Sequence, residues 1–240
     1  MTPVDAAVLT GTTAAGGPRA ATSDVVVDRL AELRVVPVAV VHEVAHAEPL
    51  AQALVAGGLP CVEVTMRTKH AERVLARMAE TSSLLVGAGT VVRPEQVDRV
   101  VAAGARFVVT PGFSPSVVAV CREAGVPVIP GVATATEIVM ALDAGLDVVK
   151  FFPAEAAGGL KALSALSDPF ASIRFIPTGG VDLQNIDSYL GHRAVLAVGG
   201  TWITAPALLA AGDFAAVEQR TREAALRVAS LPSADESGKA

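Results

Sequence analysis

The sequence predicts a single α/β domain built as a closed (β/α)8 TIM barrel. Short β-branched runs alternate with helical stretches, and the unit recurs roughly every 20–25 residues. Eight such runs can be counted, and 240 residues suit one barrel. The first run is not followed by the GxGxxG turn of an open dinucleotide-binding sheet.

The strands are expected at 35–41, 61–66, 84–89, 107–110, 127–130, 148–152, 174–177 and 195–199. Pro49–Ala56 reads as a helix stopped by Gly57-Gly58. Pro94 fits the first turn of a helix ending before Gly104. Thr134 and Glu137 have the spacing of a capping box, opening a helix that runs to Ala144 and stops at Gly145. Connections this short imply right-handed crossovers and parallel strands. Residues 1–24, rich in Ala, Thr and Gly, read as a flexible leader. Residues 25–230 form the barrel, and 231–240 a frayed tail.

Composition narrows the function classes. Apolar residues make up 52% of the chain and charged residues 18%, which excludes wholesale disorder. The net charge is -5 without a basic cluster, so a nucleic-acid partner is not expected. Mean hydropathy is +0.51, but no apolar run is long enough to cross a membrane, and the N-terminus does not read as a signal peptide. Parallel sheets buried on both faces explain that hydropathy. Cys61 and Cys121 lack CxxC spacing, which favours reduced thiols and a cytoplasmic setting. Cys61 is expected to point inward near the barrel floor, and Cys121 to sit on a helix.

In such barrels the chemistry lies at the C-terminal strand ends. Lys150 stands within the sixth apolar strand, sharing a face with Val148 and Phe152. Facing inward, its amine would be desolvated, its pKa would fall, and it could attack a carbonyl to form a Schiff base. A snorkelling strand-end lysine or a structural ion pair is the plainer alternative. On the second strand, Glu63, Thr65 and Arg67 share one face. Glu63 could act as a general base and Arg67 as a carboxylate clamp, or the two could merely pair. Pro177-Thr178-Gly179-Gly180 and Gly199-Gly200-Thr201 end strands seven and eight, where barrels commonly bind phosphate; a plain turn is the other reading of each. Thr90 could donate to an anion, and Pro111 and Phe152 could wall an apolar pocket for a small carbon chain; simple packing is the plainer reading of all three. His42 and His46 have helical metal spacing but no third ligand, so no metal is expected.

These residues stand in blocks that resemble the 2-keto-3-deoxy-6-phosphogluconate aldolase family, which includes 4-hydroxy-2-oxoglutarate aldolases. The blocks are EVTMRT at 63–68, VGAGTV at 86–91, VTPGFS at 109–114, VIPGVAT at 128–134, KFFPAE at 150–155, PTGG at 177–180 and GGTW at 199–202. The resemblance implies a (β/α)8 class I aldolase needing no metal or other cofactor, cytoplasmic and trimeric, acting in the Entner-Doudoroff route. It implies Lys150 as the Schiff-base lysine, Glu63 as proton-transferring base and Arg67 as ligand of the substrate carboxylate. Thr90, Pro111 and Phe152 then lie near the pyruvyl part, and Thr178, Gly179, Gly180, Gly200 and Thr201 near the phosphate. Relatives often carry serine at the position of Thr201, whose hydroxyl is kept here. The leader has no clear counterpart in the family. A galactonate-type keto-acid phosphate aldolase resembles the lysine region but tends to lack the arginine. A phosphosugar isomerase needs no lysine in strand six, and a non-catalytic sensing barrel would not need Glu63, Arg67 and Lys150 together.

Overall fold

Val35 pairs in parallel with Val198, and this ladder joins the first strand to the last. The structure, a computed structural model, describes residues 18–232, with side chains from residue 24. The strands are β1 Val35–Ala39, β2 Cys61–Thr65, β3 Leu85–Gly89, β4 Phe107–Val109, β5 Val128–Ile129, β6 Gly131–Val132, β7 Val148–Phe151, β8 Arg174–Phe175 and β9 Val198–Gly200. They occupy eight positions, because β5 and β6 are one strand interrupted at Pro130. Proline has no N–H for a ladder, although its carbonyl still accepts from the Lys150 N–H at 2.8 Å. Neighbouring ladders from β1 through β5 and from β6 through β8 are parallel. The parallel bridges Phe175 to Val195 and Thr178 to Gly199 carry the pairing into the last strand. The barrel is closed.

The helices are α1 Pro18–Leu33, α2 Ala47–Ala56, α3 Ala71–Ala79, α4 Pro94–Ala102, α5 Pro115–Ala124, α6 Ala135–Asp143, α7 Gly159–Ser167, α8 Ile186–Leu190, α9 Pro206–Ala211 and α10 Phe214–Ala229. Local chemistry sets their ends. Thr134 Oγ1 accepts from the Glu137 N–H and Glu137 Oε2 from the Thr134 N–H, the reciprocal box expected at α6. Pro94 opens α4 at a position where a missing N–H costs nothing.

Helix α1 begins at Pro18 and so covers residues 18–24 of the stretch expected as a leader. The expected flexible leader over 1–17 and frayed tail over 233–240 lie outside the described residues. The Ala/Thr-rich start of α1 carries little apolar periodicity. Further along, Val26, Leu30 and Leu33 recur at helical spacing and are buried.

Those three side chains close the bottom of the barrel. They pack with Val36, Cys61, Phe107, Val109, Ile129, Val148 and Ile176 in a cluster inside the bore. The opposite strand faces, including Val62, Val64, Val149 and Phe151, join the larger core beneath the outer helices. Period two thus splits each strand between two apolar environments. The Cys61 thiol donates to the Val35 carbonyl on this floor at 3.2 Å, and burial pushes its pKa up to about 12. Burial raises Cys121 on α5 to about 12 as well. Both are free thiols held as inert packing groups.

Leu30 has no exposed surface, and removing it leaves a hole that rigid strands cannot fill. Leu30→Ala is expected to destabilise the protein by roughly 2–5 kcal/mol, read from urea unfolding at unchanged m-value. A change of about 0.5 kcal/mol or less, the range of surface substitutions, would show that α1 is not part of the core.

Candidate active site

Glu63 and Lys150 are each the third residue of their strands, β2 and β7, and their parity turns both side chains into the bore. Glu63 lies beside Val38 on one side and Gly87 on the other, and Lys150 beside Gly131. In ring order the two strands stand across the barrel from each other. The long side chains meet in the middle. Lys150 Nζ donates to Glu63 Oε1 at 3.0 Å and to Oε2 at 3.1 Å, with 8% and 5% of the two side chains exposed. The amine is therefore not a lone desolvated group, as strand parity alone suggested, but half of a buried pair. The Phe152 ring centroid lies 5.3 Å from Nζ and adds a weak cation–π contact.

Above this pair opens a cavity of about 120 Å3 at the C-terminal strand ends. All eleven residues singled out from sequence line it: Glu63, Arg67, Thr90, Pro111, Lys150, Phe152, Thr178, Gly179, Gly180, Gly200 and Thr201. Val38 and Thr65 complete the wall. Arg67 sits just past β2, exposed, and its guanidinium makes no ion pair or hydrogen bond among the described residues. Its charge is available to a ligand anion. Thr90 directly follows β3 at φ 58, in a left-handed conformation that costs a β-branched residue about 1–3 kcal/mol. Such strain concentrates at functional sites. On the remaining wall, Gly179 and Gly180 have φ of 99° and 86°, which favours glycine. Their N–H groups and that of Thr201 have no acceptor among the described residues. One wall thus offers a free cation, another free amide donors, and the floor an amine beside a carboxylate.

The model of the family of KDPG and KHG aldolases matches residues 26–220. A 2-dehydro-3-deoxy-phosphogluconate aldolase of Treponema pallidum is 51% identical over 191 residues, 79% of this chain and 91% of the relative. The chain belongs to the KDPG and KHG aldolase family. The KHG/KDPG aldolase of Escherichia coli is 44% identical over 191 residues, 79% of this chain and 90% of the relative. A solved KDPG aldolase of Legionella pneumophila, holding pyruvate as a covalent carbinolamine intermediate, superposes with a TM-score of 0.80 at 39% identity, covering 82% of this chain and 97% of that one.

His42 and His46 stay outside this aldolase-family cavity. They line a neighbouring cleft, where His46 meets the Phe214 ring edge-on at a centroid distance of 5.3 Å. Among the described residues no three His, Cys, Asp or Glu side chains are grouped to hold a metal.

Two glycines that make the site possible were not singled out from sequence as site residues. A Cβ on Gly89 would stand 2.1 Å from Glu63 Oε1, and one on Gly131 would stand 2.3 Å from the Pro111 backbone. A glycine inside a strand often marks such a close approach. Gly89 was visible as that signal, but its neighbour across the ladder could be named only from register, Thr65 opposite Gly89. Gly89→Ala is expected to drive the Glu63 carboxylate back by about 1 Å, the distance needed to restore van der Waals contact. A crystal structure of the variant should show the Lys150–Glu63 contact lengthened beyond hydrogen-bond range. An unchanged contact would mean that Glu63 has slack elsewhere.

Proposed function

We propose that the protein is a class I aldolase that cleaves 2-keto-3-deoxy-6-phosphogluconate to pyruvate and glyceraldehyde 3-phosphate, with 4-hydroxy-2-oxoglutarate as a further substrate of the same chemistry. The observation that carries this reading is the buried Lys150–Glu63 pair at the floor of a cavity with anion-binding groups on its walls. Family membership supports it, as does the covalent pyruvate adduct in the Legionella relative.

Glu63 touches Nζ and can take its proton, leaving a neutral amine to attack the C2 ketone. Glu63 returns that proton to the carbinolamine hydroxyl, which leaves as water and gives a cationic iminium, an electron sink, with the carboxylate restored. Glu63, directly or through a water, removes the proton of the C4 hydroxyl. The C3–C4 bond breaks, its electrons pass into the iminium to form an enamine, and the aldehyde leaves. Protonation at C3 by the same carboxylic acid and hydrolysis release pyruvate and restore Lys150.

Arg67 takes the C1 carboxylate, with Thr90 beside the pyruvyl part and Pro111 and Phe152 walling it. Thr178, Gly179, Gly180, Gly200 and Thr201 receive the phosphate. A galactonate-type aldolase is the alternative, disfavoured because enzymes of that kind tend to lack the arginine that stands here at position 67. We also infer a cytoplasmic enzyme, in keeping with two free buried thiols and a phosphorylated metabolite. A homotrimer is the family expectation, and exposed Val139, Met140 and Leu142 on α6 offer apolar surface for subunit contact.

Exchange of the pyruvate methyl protons with solvent needs the enamine but no aldehyde. Glu63→Gln keeps size and removes the base, so exchange and cleavage should both fall about 10²–10⁴-fold, with circular dichroism unchanged. Exchange persisting at the parent rate would assign the base to another group and return Glu63 to a structural role.

A further inference from the structure

The amide donors at the phosphate end are useful only if their peptide planes are fixed, and glycine itself fixes nothing. Gly179 and Gly180 sit at φ 99° and 86°, just outside β8, where no ladder holds them. Each of the three successive carbonyls at this turn has its own donor. The Thr178 carbonyl accepts from the Ala154 N–H at 2.8 Å, and that of Gly179 from the Glu155 N–H at 3.0 Å. The Gly180 carbonyl accepts from Asn185 Nδ2 at 3.0 Å. These peptides are trans, so every N–H points away from the carbonyl of its own plane. Holding the Thr178 and Gly179 carbonyls against the 154–155 backbone turns the Gly179 and Gly180 N–H groups to the other side, the side of the cavity they line.

Ala154 and Glu155 act through main chain, but Asn185 acts through its side chain. Its Oδ1 accepts from the Asp182 N–H at 2.9 Å while its Nδ2 holds Gly180, so one amide clasps the loop on both sides of Val181. Asn185 stands at the N-cap of α8 and makes no capping bond there. Asparagine at that place ordinarily caps the helix. Here the side chain is diverted to the turn. The clasp also reaches the second glycine site, since a Cβ on Gly200 would lie 3.1 Å from the Val181 carbonyl. From the far side, the Glu155 stem packs against Gly180 so closely that a Cβ there would lie 2.5 Å from its Cγ. The Glu155 carboxylate is itself held by the Tyr189 hydroxyl.

We propose that Asn185 is a positioning residue for the anion subsite: the Gly180 carbonyl it holds shares a peptide plane with the Val181 N–H, so the clasp fixes Gly180 ψ and with it the end of the turn that presents the Gly179 and Gly180 N–H groups to phosphate. It touches no substrate atom and acts through the turn. This rests on the phosphate reading given above, and the test separates the two.

Steady-state cleavage is measured with the phosphorylated keto acid and its unphosphorylated counterpart, together with competitive inhibition by inorganic phosphate. Asn185→Ala removes the donor without adding charge. KM for the phosphorylated substrate and Ki for phosphate should rise about tenfold, the scale of one lost hydrogen bond. Turnover number and KM for the unphosphorylated substrate should stay within about twofold, a change too small to count as an interaction. Asn185→Asp keeps the acceptor for Asp182 but cannot donate to Gly180, and should be at least as impaired. Equal losses on both substrates, or loss of pyruvate proton exchange as well, would overturn the proposal, because a positioning role at the phosphate end cannot reach Lys150. Unaltered KM and Ki in Asn185→Ala would overturn it too. A parent enzyme indifferent to the phosphate group would refute the phosphate reading itself, and this proposal with it.

Discussion

The rest of the structure answers to one contact, an ammonium and a carboxylate 3.0 Å apart in the bore of a barrel. At that distance and an effective dielectric of about 20, their attraction is roughly 5 kcal/mol. Removing each ion from water costs several kcal/mol. The terms nearly cancel, so the pair is not there for stability. Loss of either partner would leave a buried charge uncompensated, which is far worse. A barrel that keeps such a pair must hold both groups in place and exclude water from below.

The surrounding residues meet those two demands. The apolar cluster inside the lower bore, with Leu30 of α1 reaching up into it, lies directly beneath the pair, and the cavity between them has a volume of only about 10 Å3. That is at the lower limit for holding a single water. Gly89 gives Glu63 its place, and Gly131 lets β6 approach the Pro111 backbone beside the cavity. Above the pair the lining turns polar within one strand residue: Thr65 Oγ1 donates to the Ala39 carbonyl, and the strained Thr90 follows at the end of β3. The same parity that puts Val148 on the floor puts Lys150 over it. The gradient from apolar bottom to polar mouth is therefore written along single strands.

Much of this was legible in the chain. A lysine in an apolar strand and a Glu-x-Thr-x-Arg face are anomalies for buried strands, and the period of two says which way they point. The barrel followed from the alternation of elements, and strands such as 61–66 and 84–89 lie within a residue or so of where they form. What escaped depends on contacts between distant segments. Helix α1 was not read from the sequence because its first turns are small and polar, and its buried side chains begin to recur only at Val26 and Leu30. The break at Pro130, with a further pair of residues after it, needed the ladder to β7 to be seen. Asn185 carried no signal beyond that of an ordinary helix cap, since its partners are backbone groups in a turn whose conformation the sequence does not spell out.

The central claim is that Lys150, and not another amine, becomes covalently bound to the keto acid. The direct measurement is reduction with borohydride in the presence of pyruvate, followed by peptide mass spectrometry. The account predicts a reduced pyruvate adduct on Lys150, with activity lost in proportion to labelling and unaffected by chelators. An adduct on Lys69 or Lys161 instead, or full inactivation with Lys150 unmodified, would contradict it.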